Sequence, residues 1–523
     1  MSPSWSCSNG SSGSLAQSEN NGARSCRDES RRTIGSQVLG SSSPLADEEA
    51  CGKWLKGPGT VSALKRNGVL IIMHAIEQLA TFAATHPAGS LPQATKDICA
   101  ILIADLLAAT AAGLHSNLAL AARRAAIASY GKGPSTVWMT DQSLSIAGAA
   151  MANAAAASAL DIDDGHRGAA GHPGAGIIPA AIAVGQAIGT SDEDIFEAIA
   201  IGYDVALRVA TARPTETIDS YASGRWVNFG VAAAVGRLLK LSPSQMANAI
   251  GIAGAEGPIG YKKGTSRYQG STVKELIPPA VVAGLTAAFR AQAGATGPLD
   301  LLDNETLYTR SVLTGELGEH WWIGDCYLKP YACCRYMHGA VDAILELRRP
   351  DAPIKSLRIE TFQRGTELSN ERAPRSLEGA QYSYYFSCAL AALRGRQALQ
   401  PMDPASLRDP EILELSSRIE MVAHSDFNDS FPKGTPSRVI IDQGNGPESR
   451  TVLFPLGDVA NPMSAEQVME KFRLIGAESL TEDGRNTILV AISKLTTDGF
   501  TPLLSALADR AGQISSPRAD EVA

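Results

Sequence analysis

Residues 161–185 read DIDDGHRGAAGHPGAGIIPAAIAVG. Three carboxylates (Asp161, Asp163, Asp164), two imidazoles (His166, His172) and one guanidinium (Arg167) fall within its first twelve residues. The glycines and Pro173 imply an irregular backbone, and from about residue 174 the run becomes apolar in the manner of a buried helix. On the N-terminal side, residues 144–160 (LSIAGAAMANAAAASAL) are a second Ala-rich apolar run. A polar loop held between two apolar helices is either a solvated loop with helix-capping aspartates or a site carried by a rigid scaffold. Histidine exchanges protons near neutral pH and an adjacent carboxylate tunes it, so acid–base work is the functional alternative.

The same texture extends outward. Apolar residues make up 44 % of the 523-residue chain and aromatic residues 6 %, so Ala, Leu, Ile and Val carry the core. Ala loses no side-chain entropy in a helix, and a chain of this composition predicts closely packed helices. Start signals agree. Ser191 with Asp194, Ser242 with Pro243 and Gln245, and Ser464 with Gln467 resemble N-caps with reciprocal partners, and Pro278-Pro279 marks another helix start. The run at 98–113 (ICAILIADLLAATAAG) is shorter than the ~20 residues of a membrane span and is broken by Asp105, so it reads as a buried helix.

After about residue 325 the pattern changes. Residues 356–363 and 438–454 alternate as strands do, the second around the turn signal GNG. Helices at 338–348 and 380–394 accompany them. The expected organisation is mainly α: a Ser-rich extension at 1–60 too poor in apolar residues to order itself, a helical domain at 73–324, a smaller α/β domain at 325–457, and C-terminal helices at 458–510 returning to the helical domain.

Net charge is −8, and no dense basic surface is encoded, which argues against nucleic acid as partner. A membrane partner is not expected either. Eight cysteines with no CxxC spacing fit a reducing compartment. The start of the chain lacks a secretory apolar segment, and a cytoplasmic location is expected. Arg24, Arg27, Arg31 and Arg32 among serines make a mitochondrial one the second choice.

Four further groups bear chemistry. Lys329-Pro-Tyr-Ala-Cys-Cys-Arg-Tyr-Met-His338 sets Lys329, Arg335 and His338 at the junction of the two domains, where ligand sites concentrate. Lys274 precedes an apolar helix, where a cation does not serve the helix dipole. Tyr221-Ala-Ser-Gly-Arg-Trp226 puts Arg225 at a helix start, whose N–H groups suit an anion. Tyr382-Ser-Tyr-Tyr385 offers hydroxyls, though three aromatics at this spacing usually pack. Dinucleotide, P-loop and HExxH motifs are missing, and Cys333-Cys334 is too tight for an ordinary zinc pair. The chemistry indicated is acid–base work on a small carboxylate, without metal or cofactor.

The runs DIDDGHRGAAGHPGAGIIPAAIAVG, FGVAAAVGRLLKLSPSQMANAIGIAG and KPYACCRYMHGAVDAILEL together resemble the MmgE/PrpD family, in the family's motif order, from about residue 73 to 475. The resemblance implies a large helical domain with an inserted smaller α/β domain, an active site between them, no metal or cofactor, and a homodimer. Its members decarboxylate cis-aconitate, dehydrate 2-methylcitrate or epimerise a dicarboxylate. Matched to the family's motifs, Asp161, His172, Lys274, Lys329 and Tyr384 (or Tyr385) are the implied catalytic residues. Asp164, His166, Arg167, Arg225, Arg335 and His338 are the expected substrate-binding set. The chain departs from the family at Gly165-His166-Arg167, where a Thr is expected, at 220–225, which reads SYASGR instead of GFHPT, and at Cys334, where a decarboxylase histidine stands. The expected activity is decarboxylation of a cis-aconitate-like acid. Dehydration of a 2-alkylcitrate, epimerisation of a dicarboxylate and an inactive dimeric paralogue are the alternatives.

Overall fold

Ser242 accepts a hydrogen bond from Gln245 N while the Gln245 side chain returns to the Ser242 backbone, and the helix Pro243–Glu256 starts there. Ser464 and Gln467 do the same for Ala465–Ile475, and Ser191 caps Asp192–Thr211. These local signals set the ends of a helical array in a computed structural model that describes residues 63–66, 69–214, 222–258 and 273–509. The extension expected at 1–60 lies outside the described residues; all described elements belong to one unit, Trp54–Ala523.

Among the described residues, eight of the nine longer helices from Ala75–Thr85 to Ile277–Gln292, and the C-terminal helices Ala465–Ile475, Glu482–Ser493 and Phe500–Ala508, share one apolar core, while Asn117–Tyr130 places Ala126 in a small cluster beside it. Small residues let them close in. A Cβ built on Gly230 would fall 2.3 Å from Gly202 O, so Gly224–Leu238 and Asp192–Thr211 cross nearly backbone to backbone. This part is not purely helical: strands Lys132–Thr136 and Ser143–Leu144 form a hairpin in it, and Ala63–Arg66 pairs with Val69–Ile72. Among the described residues no single helix is long and apolar enough to cross a membrane; Gln93–Gly113 and Asn117–Tyr130 reach that measure only together, bent by 94°.

A second core is built from residues between Tyr331 and Val452. Its sheet runs in the order Pro447–Val452, Ser437–Asp442, Ser356–Thr361, Glu420–Ala423. The first two pairings are antiparallel and the last parallel. Helices His338–Leu347 and Tyr384–Arg394 contribute to the same core. The edge strand Glu420–Ala423 carries no alternating pattern and was not anticipated. The chain is mainly α, with this smaller α/β region inserted before the last helices return to the first core.

One short pairing positions the site. Gly165–His166 runs antiparallel to Cys326–Tyr327, so the acidic loop is stitched to the segment that opens the smaller region. Lys329 and Asp161, 168 residues apart, thereby come into contact.

Candidate active site

Asp161 follows the helix Ile146–Ser158 and takes a left-handed φ of 56°, a conformation Asp tolerates better than most residues. Its Oδ2 accepts from Lys329 Nζ at 2.7 Å, with both side chains almost wholly buried. Its Oδ1 lies 3.3 Å from His172 Nε2. The other imidazole nitrogen, Nδ1, is 2.7 Å from Asp164 O and 3.3 Å from Asp163 Oδ2. Burial acts to lower the His172 pKa, but Asp163 and the bond to Asp161 outweigh it and hold the imidazole well above its ordinary value. Burial acts in the opposite sense on Asp161, where Lys329 and Lys274 prevail and keep the carboxyl well below its usual range. The result is an imidazole biased towards its protonated form and set beside an Asp161 carboxyl biased towards its ionised one.

Asp164 is a support. It accepts from Gly174 N at 3.1 Å and from Tyr203 OH at 3.0 Å, and burial beside Asp163 pushes it up to about 7. A Cβ on Gly174 would fall 2.3 Å from Asp164 Oδ1, so glycine is what lets this helix start meet the carboxylate. Beneath the loop, Lys471 Nζ donates to Asp105 Oδ1 at 2.6 Å and to Ile162 O at 2.7 Å.

Lys274 and Glu275 reach the site on an unusual turn. Val273, Lys274, Glu275 and Leu276 all have positive φ, between 43° and 63°. Such residues cost about 1–2 kcal/mol each, so the surroundings must hold the turn in place. Gly224 is one reason it fits, since a Cβ there would fall 2.4 Å from Leu276 O. Lys274 Nζ donates to Gln381 Oε1 at 2.6 Å, and it lies 5.7 Å from the centre of the Tyr382 ring. Glu275 Oε2 accepts from Ser223 Oγ at 2.5 Å, and Oε1 from Tyr382 OH at 3.3 Å. Ser223 Oγ in turn accepts from His172 N at 2.9 Å.

Guanidinium groups form another part of the site. Arg335 Nη2 is 3.2 Å from Asp458 Oδ2, and its nitrogens also donate to Leu328 O, Pro455 O and Leu456 O. Burial and neighbouring Arg167 lower it to about 10. Arg167 Nη2 meets the same Asp458 oxygen, while Arg167 Nε and Nη1 are buried with no acceptor in the protein. His166 accepts from Ala169 N at 3.1 Å, packs on Trp322 and is pushed down by burial to about 4, so it is neutral at physiological pH.

These groups meet at a cavity of about 110 Å³ lined by Asp161, His166, Arg167, His172, Glu275, Tyr327, Lys329, Cys334, Arg335, Tyr336, Leu368, Tyr382, Phe431 and Pro432, with Ala170, Gly171, Ala222 and Thr435. Of the expected residues, Asp161, His166, Arg167, His172, Lys329 and Arg335 face it together. Lys274 stands behind Tyr382 and Asp164 behind His172. Three lie elsewhere. Tyr384 is fully buried in the smaller core, its hydroxyl on Tyr336 O and Thr361 Oγ1; of the run 382–385 it is Tyr382 that lines the cavity. His338 is buried between Cys333 O and Arg335 and is held well below its ordinary pKa by burial and Arg335, a neutral packing histidine. Arg225, half-buried in the first turn of Gly224–Leu238, is not among the described lining residues. Sequence reasoning passed over Glu275 and Asp458, for which no local pattern exists, and singled out the run 221–226 for Arg225, not for Ser223.

Asp161, His172 and Glu275 bring one potential ligand atom each within 4.8 Å of one another. Their engagements favour a proton over a metal ion. Lys329 holds the Asp161 carboxylate and sets an ammonium beside any ion bound there, and the raised pKa of His172 means that a proton competes for its Nε2.

Comparison with known proteins adds to this geometry. Residues 77–319 match the MmgE/PrpD N-terminal domain and residues 331–497 the MmgE/PrpD C-terminal domain. Cis-aconitate decarboxylase of Aspergillus terreus is 25 % identical over 408 residues, covering 70 % of this chain and 82 % of that protein. Human cis-aconitate decarboxylase is 25 % identical over 391 residues, covering 69 % and 79 %. A cis-aconitate decarboxylase-like protein of Aspergillus oryzae is 23 % identical over 396 residues, covering 69 % and 81 %. The two domain matches take up most of the chain, in the order of the two cores: the protein belongs to the MmgE/PrpD family.

Proposed function

We propose that the protein is a lyase that decarboxylates a cis-aconitate-like di- or tricarboxylic acid with its own side chains. The observation that carries this reading is His172 at the cavity wall, held between Asp161 and Asp163, with Lys329 and Arg167 lining the same cavity. Decarboxylation breaks a carbon–carboxylate bond; the bond electrons shift into the neighbouring double bond, carbon dioxide departs, and a carbon takes up a proton. The step needs an acid, and His172 is held in its acid form by Asp161 and Asp163. Arg167 has nitrogens to spare for a carboxylate that stays on the product, and a guanidinium suits that geometry. Lys329 serves the charge of Asp161 and of the substrate together. The decarboxylases among the relatives support the same reading. Homodimeric assembly and a cytoplasmic location are part of this proposal and rest on the resemblance and the composition.

Dehydration of a 2-alkylcitrate is the second reading, and Glu275 favours it. A dehydratase needs a base for the carbon-bound proton beside an acid for the leaving hydroxyl, and the Glu275 carboxylate stands next to His172. Epimerisation fits less well, because its two acid–base groups must straddle one carbon, whereas these lie side by side. Purified protein incubated with a panel of unsaturated and hydroxylated tricarboxylic acids, read by mass, separates the readings. Loss of carbon dioxide, strongly slowed in His172→Ala, is expected. Loss of water would install the dehydratase, and a mass-neutral change of configuration the epimerase.

A further inference from the structure

Two guanidinium groups line the cavity, and their engagements differ. Arg335 is taken up by the protein. Among the described residues its Nη1 and Nη2 donate to Leu328 O, Leu456 O and Pro455 O and meet Asp458 Oδ2, and Nε is left without an acceptor. Arg167 has the same Asp458 oxygen as its ion-pair partner, and its Nε and Nη1 are buried without an acceptor among the described residues. The two cations thus share one carboxylate.

That carboxylate is fixed by its own backbone. Asp458 Oδ1 accepts from Ala460 N at 3.0 Å, and Asn461 N closes the turn on Asp458 O at 2.9 Å. The turn lies against the segment that carries Lys329: Leu328 N donates to Gly457 O at 2.9 Å, and a Cβ on Gly457, whose φ is 86°, would fall 2.2 Å from Leu328 O. Leu456 N donates to Asp342 Oδ2 at 2.7 Å. With Oδ1 held by the turn, Oδ2 has a set direction. A planar guanidinium bonded to it has its remaining N–H groups set in direction too.

We infer that Asp458 is a positioning residue for substrate binding: it holds Arg167 so that the remaining guanidinium N–H groups meet a substrate carboxylate, while Arg335 holds the Asp458 turn. The inference rests on the proposed carboxylic-acid site and goes beyond it by giving the two arginines different roles, Arg167 in contact with substrate and Arg335 in support.

Tricarballylate, a saturated tricarboxylate with no double bond to accept electrons, is the probe. It would be titrated by calorimetry into the full-length parent, Asp458→Asn, Arg167→Gln and the double variant, each checked for folding by circular dichroism. Asn keeps an oxygen for Ala460 N and loses the charge that fixes Arg167. Affinity should fall on the order of tenfold in Asp458→Asn, the contribution of about one charge-assisted hydrogen bond. Arg167→Gln should weaken binding at least as much, and the double variant no further, because a positioning residue then has nothing to act through. A structural or charge-balancing Asp458 would weaken binding equally in the Arg167→Gln background, and that result overturns the inference. So does an affinity unchanged or higher in Asp458→Asn, the sign of a carboxylate that competes with substrate for Arg167. Asp458→Glu keeps the charge, shifts the carboxylate and should also weaken binding; if the Asn variant fails to fold, parental affinity in Asp458→Glu overturns the inference. If tricarballylate does not bind the parent, the carboxylic-acid site falls and the inference with it. If the cycle holds but no acid in the panel is turned over, the lyase reading alone fails.

Discussion

Lys471→Met removes a single ammonium from the floor of the site. Lys471 comes from the helix Ala465–Ile475, and its partner Asp105 from Gln93–Gly113. Their side chains are 1 % and 0 % exposed. Breaking a buried pair by removing one partner costs about 3–5 kcal/mol, because the remaining charge stays buried without compensation. Ile162 O also loses its donor, so the loss is on the order of 5 kcal/mol, a large part of the ~5–15 kcal/mol that holds a folded protein. The pH dependence has a definite sign. Burial already raises the Asp105 pKa against the pull of Lys471, and without Lys471 it rises further. A carboxyl whose folded pKa lies above its unfolded value takes up a proton on folding. The penalty is therefore absent below the unfolded pKa and grows as pH rises towards the folded one. The deficit of Lys471→Met should be smaller at pH 5 than at pH 8. Asp105→Leu combined with Lys471→Met leaves no buried charge and should recover the larger part of the loss. The assay is differential scanning calorimetry of the full chain at matched scan rates across that pH range. A single variant within ~1 kcal/mol of the parent, or a double variant as unstable as the single one, would refute the reasoning.

Two predictions concern chemistry. Asp163→Asn removes the largest influence that raises the His172 pKa, so the imidazole should lose its proton at lower pH and the alkaline limb of kcat/KM should move down; an unmoved limb would assign the acid to another group. His172→Ala should abolish that limb and lower turnover by ~10²–10⁴-fold while the protein stays folded, and full turnover in this variant would remove His172 from the mechanism. Activity should survive dialysis against strong chelator, since the Lys329 ammonium sits on Asp161 and would repel a cation there; a loss restored by zinc would convert Asp161, His172 and Glu275 into metal ligands.

What the sequence determined by itself is what short-range physics encodes. Capping at Ser242 and Ser464, the Pro278-Pro279 helix start and the alternation at 356–363 and 438–454 each depend on residues a few positions apart. Their elements form where those residues stand. Asp161, His166, Arg167 and His172 were legible because they crowd into twelve residues, and Lys329 with Arg335 because they share one segment. Tertiary structure decided the rest. Whether Tyr382 or Tyr384 meets the cavity turns on a helix that Ser383 caps, which sends Tyr384 into the smaller core and leaves Tyr382 outside it. Glu275 was invisible because four successive left-handed residues aim it, a conformation no local preference supports and only the packing around Gly224 and Ser223 sustains. Lys471 and Asp105 stand 366 residues apart. Neither has a sequence neighbour to betray the pairing. A buried charge finds its partner through the closing of the core, and that is a property of the whole chain.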